Sequence, residues 1–139
     1  MCRRVLLIED EEHVRETLQL LLTNAGYLVT ASANGKNIFD LIKEFNPSLI
    51  LLDILLDEMD GREICKAVKS TPSTASIPII ILSAVQDIYN SIIDFGANDV
   101  IAKPFDERTL LNRIERQLSN SNAVIWRLRA SSYHPYDNV

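Results

Sequence analysis

The sequence predicts an α/β domain with a five-stranded, doubly wound parallel sheet and helices on both faces. Short aliphatic runs alternate with helical apolar patterns along the chain, which is typical of βα units joined by right-handed crossovers. Four of the runs are continuously apolar, as expected of strands buried on both faces of a parallel sheet. These runs are residues 5–8, 49–52, 79–82 and 100–102. A length of 139 residues suits one such domain.

The first half of the chain supplies two helices and a weak strand. A helix is predicted after the first strand, and Gly26 is placed as its C-terminal stop. The apolar stripe of this helix is Val14, Leu18, Leu21, Leu22 and Ala25. Residues 28–31, which include Thr30, form a weaker strand pattern that suits an edge position. A second stripe, which ends before Asn46 and Pro47, predicts the next helix. It consists of Ile38, Leu41, Ile42 and Phe45.

The second half supplies three further helices. Asp60 followed by Glu63 resembles a capping box, and it opens a helix that turns Ile64, Cys65 and Val68 inward. Residues 88–95 predict a short helix that ends at Gly96. Asp106 is the expected N-cap of a last helix, whose apolar residues are Leu110, Leu111, Ile114 and Leu118.

Residues 119–122 are Ser-Asn-Ser-Asn and break the helical pattern. We therefore predict a domain over residues 1–119 and a flexible C-terminal extension over residues 120–139. The extension contains Trp126, the only tryptophan, so a docking segment is the alternative interpretation.

Composition excludes several classes of function. The net charge of −5 disfavours direct nucleic-acid binding, which depends on neutralising phosphates. No apolar stretch approaches the ~20 residues of a membrane helix, so no membrane insertion is expected. Cys2 and Cys65 lack metal-site spacing and predict free thiols, which together with the absence of a signal-peptide pattern favours the cytoplasm.

Reactive residues follow four of the predicted strands. Glu9 and Asp10 follow the first, Asp53 the third, Ser83 the fourth and Lys103 the fifth. Chemistry in open α/β sheets collects outside the carboxyl ends of the strands. Each residue alone has a simpler interpretation, as a helix-start acid, a cap or a surface charge, but their joint occurrence favours a site. Three neighbouring carboxylates require a cation, and oxygen ligands with room for water favour Mg²⁺.

The ordered set of motifs resembles a two-component response-regulator receiver domain of the chemotaxis-regulator type. The resemblance covers about residues 4 to 119, and the matching positions are specific. They are Glu9-Asp10, Asp53, Met59-Asp60-Gly61, Ser83-Ala84, Gly96-Ala97-Asn98-Asp99 and Lys103-Pro104-Phe105. The resemblance implies a flavodoxin-like fold with strand order 2-1-3-4-5.

The resemblance also implies a role for each matching residue. Asp53 would accept a phosphoryl group from a sensor histidine kinase or a histidine phosphotransfer protein. Asp10, Asp53 and the Leu55 carbonyl would bind Mg²⁺ directly, and Glu9 would assist through water. Ser83 and Lys103 would contact the phosphoryl group, and the Lys103–Pro104 peptide would be cis.

The implied switch positions are Ser83, Ala84, Val100 and Pro104, and Val100 stands where the family usually carries an aromatic residue. Such a domain would be a switch that catalyses only its own phosphorylation and dephosphorylation, and it would act on a downstream protein target.

Several alternatives stay open. A constitutive pseudo-receiver would bind a partner without phosphorylation. An aspartate-nucleophile phosphatase would need a second acid two residues after Asp53, where this chain has Leu55. The sequence does not separate a stand-alone receiver from part of a larger regulator. A weak homodimer through the last helix is a further hypothesis, based on its charged residues Glu107, Arg108, Arg113 and Glu115.

Overall fold

The described part of the chain contains five strands and four helices, which alternate up to the fourth strand. The structure is a computed structural model, and it describes residues 3–54, 56, 59–83 and 95–129, with only the backbone described for 120–129. The elements are β1 (Arg4–Ile8), α1 (Glu12–Asn24), β2 (Leu28–Ser32), α2 (Ile38–Phe45), β3 (Leu49–Asp53), α3 (Gly61–Ser70), β4 (Ile79–Ser83), β5 (Asp99–Ala102) and α4 (Glu107–Arg129). None of these helices has the length and apolarity that crossing a bilayer requires.

The five strands form one parallel sheet in the order β2-β1-β3-β4-β5. This is the predicted order, and the weaker strand pattern of residues 28–31 forms the edge strand β2, as expected. Leu28 at the start of β2 is exposed, whereas every residue of β3 and β4 is buried. Three of the four continuous apolar runs therefore became the central strands β1, β3 and β4, whose two faces are covered by helices, and the fourth became the second edge strand, β5.

Successive residues of each central strand point into two separate cores. On one face, Leu6, Ile8 and Ile50 pack against α2 and α3 through residues such as Ile42 and Ile64. On the other face, the intervening strand residues pack against α1 and α4. The members of that second core include Val5, Leu7, Leu49, Leu51, Leu18, Leu22, Leu110, Ile114 and Leu118. The period of two along a strand thus fixes which helices lie on each face.

Most predicted helix ends are confirmed. Gly26 follows α1 with a φ of 100°, a conformation that favours glycine. Asn46 ends α2 in the left-handed region with a φ of 53°. The Asp60 carboxylate accepts a hydrogen bond from the Arg62 backbone N–H at the start of α3, and Asp106 accepts one from the Thr109 N–H at the start of α4.

One expectation about the last helix is wrong. Residues 119–122 do not break it, because α4 runs from Glu107 to Arg129 without interruption. Serine and asparagine each cost only a few tenths of a kcal/mol (~0.5) relative to alanine in a helix, and no glycine or proline occurs in this segment to stop it. The predicted helix over 88–95 lies outside the described residues except for Phe95, which is helical.

Candidate functional site

Because the strands are parallel, their carboxyl ends all lie at the same end of the sheet. Asp53 at the end of β3 pairs with Leu82, and Ser83 at the end of β4 pairs with Ala102. Backbone pairing continues past β5, since the Lys103 N–H donates to the Ser83 carbonyl over 2.8 Å. The sheet therefore places Asp53, Ser83 and Lys103 beside one another.

Three carboxylates form the centre of the site. Glu9, Asp10 and Asp53 each place one carboxylate oxygen within 4.8 Å of the others. Glu9 is only 1% exposed and Asp53 5%. Burial first, and then the adjacent Asp53 carboxyl, raise the pKa of Glu9 to about 7. The predicted convergence of the three acids is confirmed, and together they offer only oxygen ligands, which suits a hard divalent cation.

Lys103 supplies the positive charge of the site. Its Nζ lies 2.8 Å from Asp53 Oδ2 and 3.4 Å from Glu9 Oε1. Burial lowers the pKa of the Lys103 ammonium, but the hydrogen bond and charge of Asp53, followed by those of Glu9, raise it overall. The following peptide bond to Pro104 is cis, as the resemblance implied. Lys103 is therefore charged and bound to the acids before any ligand arrives.

The remaining predicted residues divide into two groups. Ser83 is fully buried at the end of β4, and Val100 is buried on β5 opposite Ile81. Leu55 and Ala84 lie outside the described residues. The role of the Leu55 carbonyl and the role of Ala84 in switching stay predictions, as do the switch roles of Ser83, Val100 and Pro104.

Sequence reasoning missed Arg15 altogether and assigned no role to Gly61, although Gly61 belongs to the matching Met59-Asp60-Gly61 motif. Arg15 on α1 donates from Nη1 to the carbonyl oxygens of Glu9 and Asp10, over 3.0 and 3.2 Å. Gly61 at the start of α3 packs so closely on β3 that an added Cβ would lie 2.1 Å from the Asp53 carbonyl oxygen. The one sequence signal for Arg15 is its position a single turn into the helix that follows the acids.

Two charged residues of α4 already have partners within the chain. Arg113 forms an ion pair with Asp99 on β5, and Glu115 forms one with Arg3. Glu115 also accepts a hydrogen bond from the Tyr27 hydroxyl over 2.8 Å. These contacts use two of the four side chains of the predicted homodimer surface, and self-association stays a prediction.

An apolar groove lies between α1 and the start of α4. It has a volume of about 310 Å³, and its lining includes His13, Leu21 and Phe105. His13 lies three residues after Asp10 and Phe105 two residues after Lys103, so two of the lining residues follow closely on residues of the acidic site.

Comparison with known proteins assigns the family. The response regulator receiver domain family matches residues 5–115. The transcriptional regulatory protein GltR of Pseudomonas aeruginosa is 36% identical over 84% of this chain and 49% of its own length. The response regulator ArlR of Staphylococcus aureus is 38% identical over 80% of this chain and 50% of its own length. The chain spans about half the length of these relatives.

Solved structures agree with this assignment. A response regulator from Chloroflexus aurantiacus is 35% identical with a TM-score of 0.79, covering 86% of this chain and 99% of its own. The receiver domain of the sensor histidine kinase PA1611 of Pseudomonas aeruginosa is 26% identical with a TM-score of 0.77, and these matches cover 86% of this chain and 99% of that one. That structure has a magnesium ion coordinated in its active-site cleft. This chain belongs to the response-regulator receiver domain family of two-component signalling.

Proposed function

We propose that this receiver is phosphorylated on Asp53 by a histidine kinase or a histidine phosphotransfer protein and that phosphorylation changes its binding to a downstream protein. Receiver domains are signalling switches. The finer assignment of a phosphoacceptor, a metal and a partner is the proposal. We also propose that residues 1–119 are the receiver and that this exchange takes place in the cytoplasm.

One observation carries the proposal. The Lys103 ammonium lies 2.8 Å from the Asp53 carboxylate, within the cluster of three acids at the ends of the strands. A surface acid would not be 95% buried beside two further carboxylates, since that burial opposes ionisation. Asp53 is thus a buried carboxylate paired with the Lys103 ammonium, which can also bind a phosphoryl oxygen.

The acids also fit a divalent cation. Asp10 and Asp53 would bind Mg²⁺ directly, with the Leu55 carbonyl as a further ligand and Glu9 in support. When bound, Mg²⁺ would offset the negative charge that accumulates as an anionic donor approaches a carboxylate. Burial first, and then the adjacent Asp53 carboxyl, raise the pKa of Glu9, and a bound cation would offset the cost of keeping that carboxylate ionised.

The transfer would proceed by nucleophilic attack. An Asp53 carboxylate oxygen attacks the phosphorus of the phosphohistidine, the new O–P bond forms as the N–P bond breaks, and the departing imidazole nitrogen keeps the electron pair and is protonated. Lys103 then pairs with the phosphoryl group, and the Ser83 hydroxyl donates to one of its oxygens. Hydrolysis of the acyl phosphate returns Asp53 and inorganic phosphate.

The groove lined by His13, Leu21 and Phe105 supports a protein donor, because its apolar wall beside the acidic site suits an amphipathic helix that carries the phosphohistidine. The acidic charge of the chain supports an output by protein contact rather than by direct nucleic-acid binding. Any DNA binding, as the names of transcriptional regulators imply for the relatives, would use a different part of a longer protein.

Intact mass tests the central assignment. The full chain is incubated with Mg²⁺ and acetyl phosphate, alongside Asp53→Asn and the exposed-residue control Asp40→Asn. We expect a gain of about 80 Da, the mass of one phosphoryl group, in the wild type and in Asp40→Asn. Asp53→Asn and a wild-type sample treated with a chelator should show none.

The adduct mass and a separate assay of phosphate release distinguish the alternatives. A constitutive pseudo-receiver would show no adduct in any sample. An aspartate-nucleophile phosphatase would release many equivalents of phosphate per chain from a phosphomonoester, whereas the proposed receiver would transfer one phosphoryl group and stop until hydrolysis. An adduct of the same size in Asp53→Asn would move the acceptor to another residue and refute the proposal.

A further inference from the structure

One side chain organises the loop that carries two of the three acids. This loop, residues 9–11, connects β1 to α1. Its three successive carbonyl groups all accept hydrogen bonds from Arg15. The Arg15 guanidinium Nη1 donates to the carbonyls of Glu9 and Asp10 over 3.0 and 3.2 Å, and the Arg15 backbone N–H donates to the Glu11 carbonyl over 2.9 Å.

Two N–H groups of the same loop are hydrogen-bonded as well. The Glu9 N–H donates to the Ser32 carbonyl over 3.0 Å, and the Glu11 N–H donates to the Glu9 carboxylate over 3.2 Å. A peptide unit held at its carbonyl and at an adjacent N–H has little rotational freedom. Because the backbone direction determines where a side chain leaves it, Arg15 sets the directions of the Glu9 and Asp10 carboxylates.

Arginine suits this position for two reasons. Its guanidinium is planar and carries several donors in a fixed arrangement, so one side chain can serve two carbonyls with little further loss of conformational freedom. It also places a positive charge beside a segment of four consecutive acids, Glu9 to Glu12.

We propose that Arg15 is a positioning residue for the metal-binding acids: it holds the 9–11 loop so that the Glu9 and Asp10 carboxylates meet Asp53 before a cation binds. This inference rests on the proposed function, because it requires that the acids serve a divalent cation. Without Arg15 the acids would remain in the chain but would have to be ordered by the metal itself, at a cost in affinity.

Direct measurement of Mg²⁺ affinity by titration calorimetry tests the inference. The full chain is compared with Arg15→Ala, Arg15→Lys and Arg116→Ala. Arg116→Ala is the control, because it removes the same charge from an exposed position on α4. Loss of partners behind metal ligands lowers affinity about 10- to 100-fold, so we expect at least a roughly tenfold higher Kd for Arg15→Ala. Arg116→Ala should match the wild type.

Arg15→Lys separates positioning from charge. A lysine keeps the positive charge but lacks the fixed arrangement of donors, so we expect an intermediate Kd and shifted amide NMR signals for residues 9–11 in the metal-free protein. At saturating Mg²⁺ the extent of phosphoryl labelling should return to the wild-type level in both variants, because Arg15 does not touch the reacting atoms.

The outcomes distinguish this inference from the proposed function. Absence of Mg²⁺ binding in the wild type would refute the metal site and the role of Arg15 together. Wild-type binding with a Kd for folded Arg15→Ala within twofold would refute the inference alone. A Kd for Arg15→Lys within twofold of the wild type would assign the effect to charge and also overturn it. If circular dichroism shows that Arg15→Ala is unfolded, Arg15→Lys decides the question by the same threshold.

Discussion

Gly61 lies where the first turn of α3 meets the backbone of β3. Its N–H donates to the Ile54 carbonyl over 2.8 Å. An added Cβ would lie 2.1 Å from the Asp53 carbonyl oxygen and 2.8 Å from Ile54 Cα, distances that real Cβ atoms do not adopt. The Asp53 backbone can approach α3 this closely only where residue 61 lacks a side chain.

Replacing Gly61 tests this close approach. Gly61→Ala should lower the free energy of unfolding by about 1–3 kcal/mol, as overpacking against a fixed backbone does, and should also reduce the labelling of Asp53. Urea denaturation and intact mass measure the two effects.

Gly26→Ala is the matched control for that substitution. Gly26 has a φ of 100° and an added Cβ would meet nothing within 4 Å, so alanine there should cost about 1 kcal/mol in backbone strain and leave labelling unchanged. Equal labelling in both variants would show that the packing of Gly61 does not position Asp53.

Helix α4 forms polar contacts with the residues that precede β1 and β2, at the end of the sheet opposite the acidic site. The Arg3 guanidinium donates to both oxygens of Glu115 over 2.8 and 2.6 Å, and the Tyr27 hydroxyl donates to the same carboxylate. The Tyr27 hydroxyl first, and then the Arg3 guanidinium, hold the pKa of Glu115 below its ordinary value. Tyr27 is itself buried, whereas the Arg3 and Glu115 side chains are 37% and 51% exposed.

Glu115→Gln should destabilise the protein in a pH-dependent way. Because the pKa of Glu115 is lower in the folded state, its stabilisation is complete above the unfolded value of 4.5 and is lost as the pH falls through the folded value. Solvent screening of the exposed pair limits the loss at pH 7 to about 0.5–1 kcal/mol. Urea denaturation at several pH values should show the difference from wild type shrink as the pH falls below 4.5.

Glu44→Gln on the exposed side of α2 is the control for this experiment and should match the wild type throughout. A difference between Glu115→Gln and the wild type that persists undiminished in acid would mean that the Glu115 charge is not responsible for the stabilisation.

Helix α4 continues well past its last described core residue. A helix of 23 residues is about 35 Å long, and among the α4 side chains that the structure describes, which end at residue 119, the last core member is Leu118. We predict that deleting residues 120–139 changes the melting temperature by less than roughly 2 °C and preserves labelling, because no described core residue is lost.

Deletion from residue 113 onward is the contrasting variant. It removes Ile114 and Leu118, both members of the core that α1 and α4 share, and should abolish cooperative unfolding. A large loss of stability on deleting 120–139 would instead extend the domain beyond residue 119.

The elements were predictable where the signal was local and strong. Central strands followed from continuous aliphatic runs, and caps followed from residues such as Asp60 and Asp106, whose side chains bond backbone N–H groups nearby. The end of α4 was mispredicted because the helix propensities of Ser and Asn differ too little from those of other residues to mark a boundary. Local preferences of this size yield easily to their context.

At the scale of the whole molecule, the site was predictable because the topology of a parallel sheet brings strand ends together. Glu9, Asp53 and Lys103 are far apart in the sequence, yet each follows a buried strand. The roles of Arg15 and Gly61 were not predictable in the same way. Their contacts are with backbone carbonyls, which every residue carries, so the sequence marked Gly61 only through its place in a family motif and offered no side-chain pattern for Arg15.

Cation binding should be visible in the stability of the whole domain. At a Mg²⁺ concentration of ten times the Kd, a ligand specific to the folded state adds about 1.4 kcal/mol, or roughly 4 °C in melting temperature for a domain of this size. Differential scanning fluorimetry should show this rise for the wild type and for Asp40→Asn.

Asp10→Asn should lose most of that rise, because it removes one of the three clustered carboxylates. Sodium chloride at equal ionic strength controls for screening of the acidic chain. An equal rise in sodium chloride would show that the stabilisation is screening and not binding.

The resting contact between Lys103 and Asp53 limits how strongly phosphorylation can act. The ammonium already has a carboxylate partner at 2.8 Å, so it exchanges one anion for another and contributes only the difference between them. The Ser83 hydroxyl would supply the other contact, and a hydrogen bond to a charged group is worth about 1.5–3 kcal/mol, or roughly a ten- to hundredfold shift in population. Complete inversion of a two-state equilibrium needs about 5.5 kcal/mol. The remainder must come from a target that binds the phosphorylated conformation preferentially, so that full output requires both the chemical signal and its recipient.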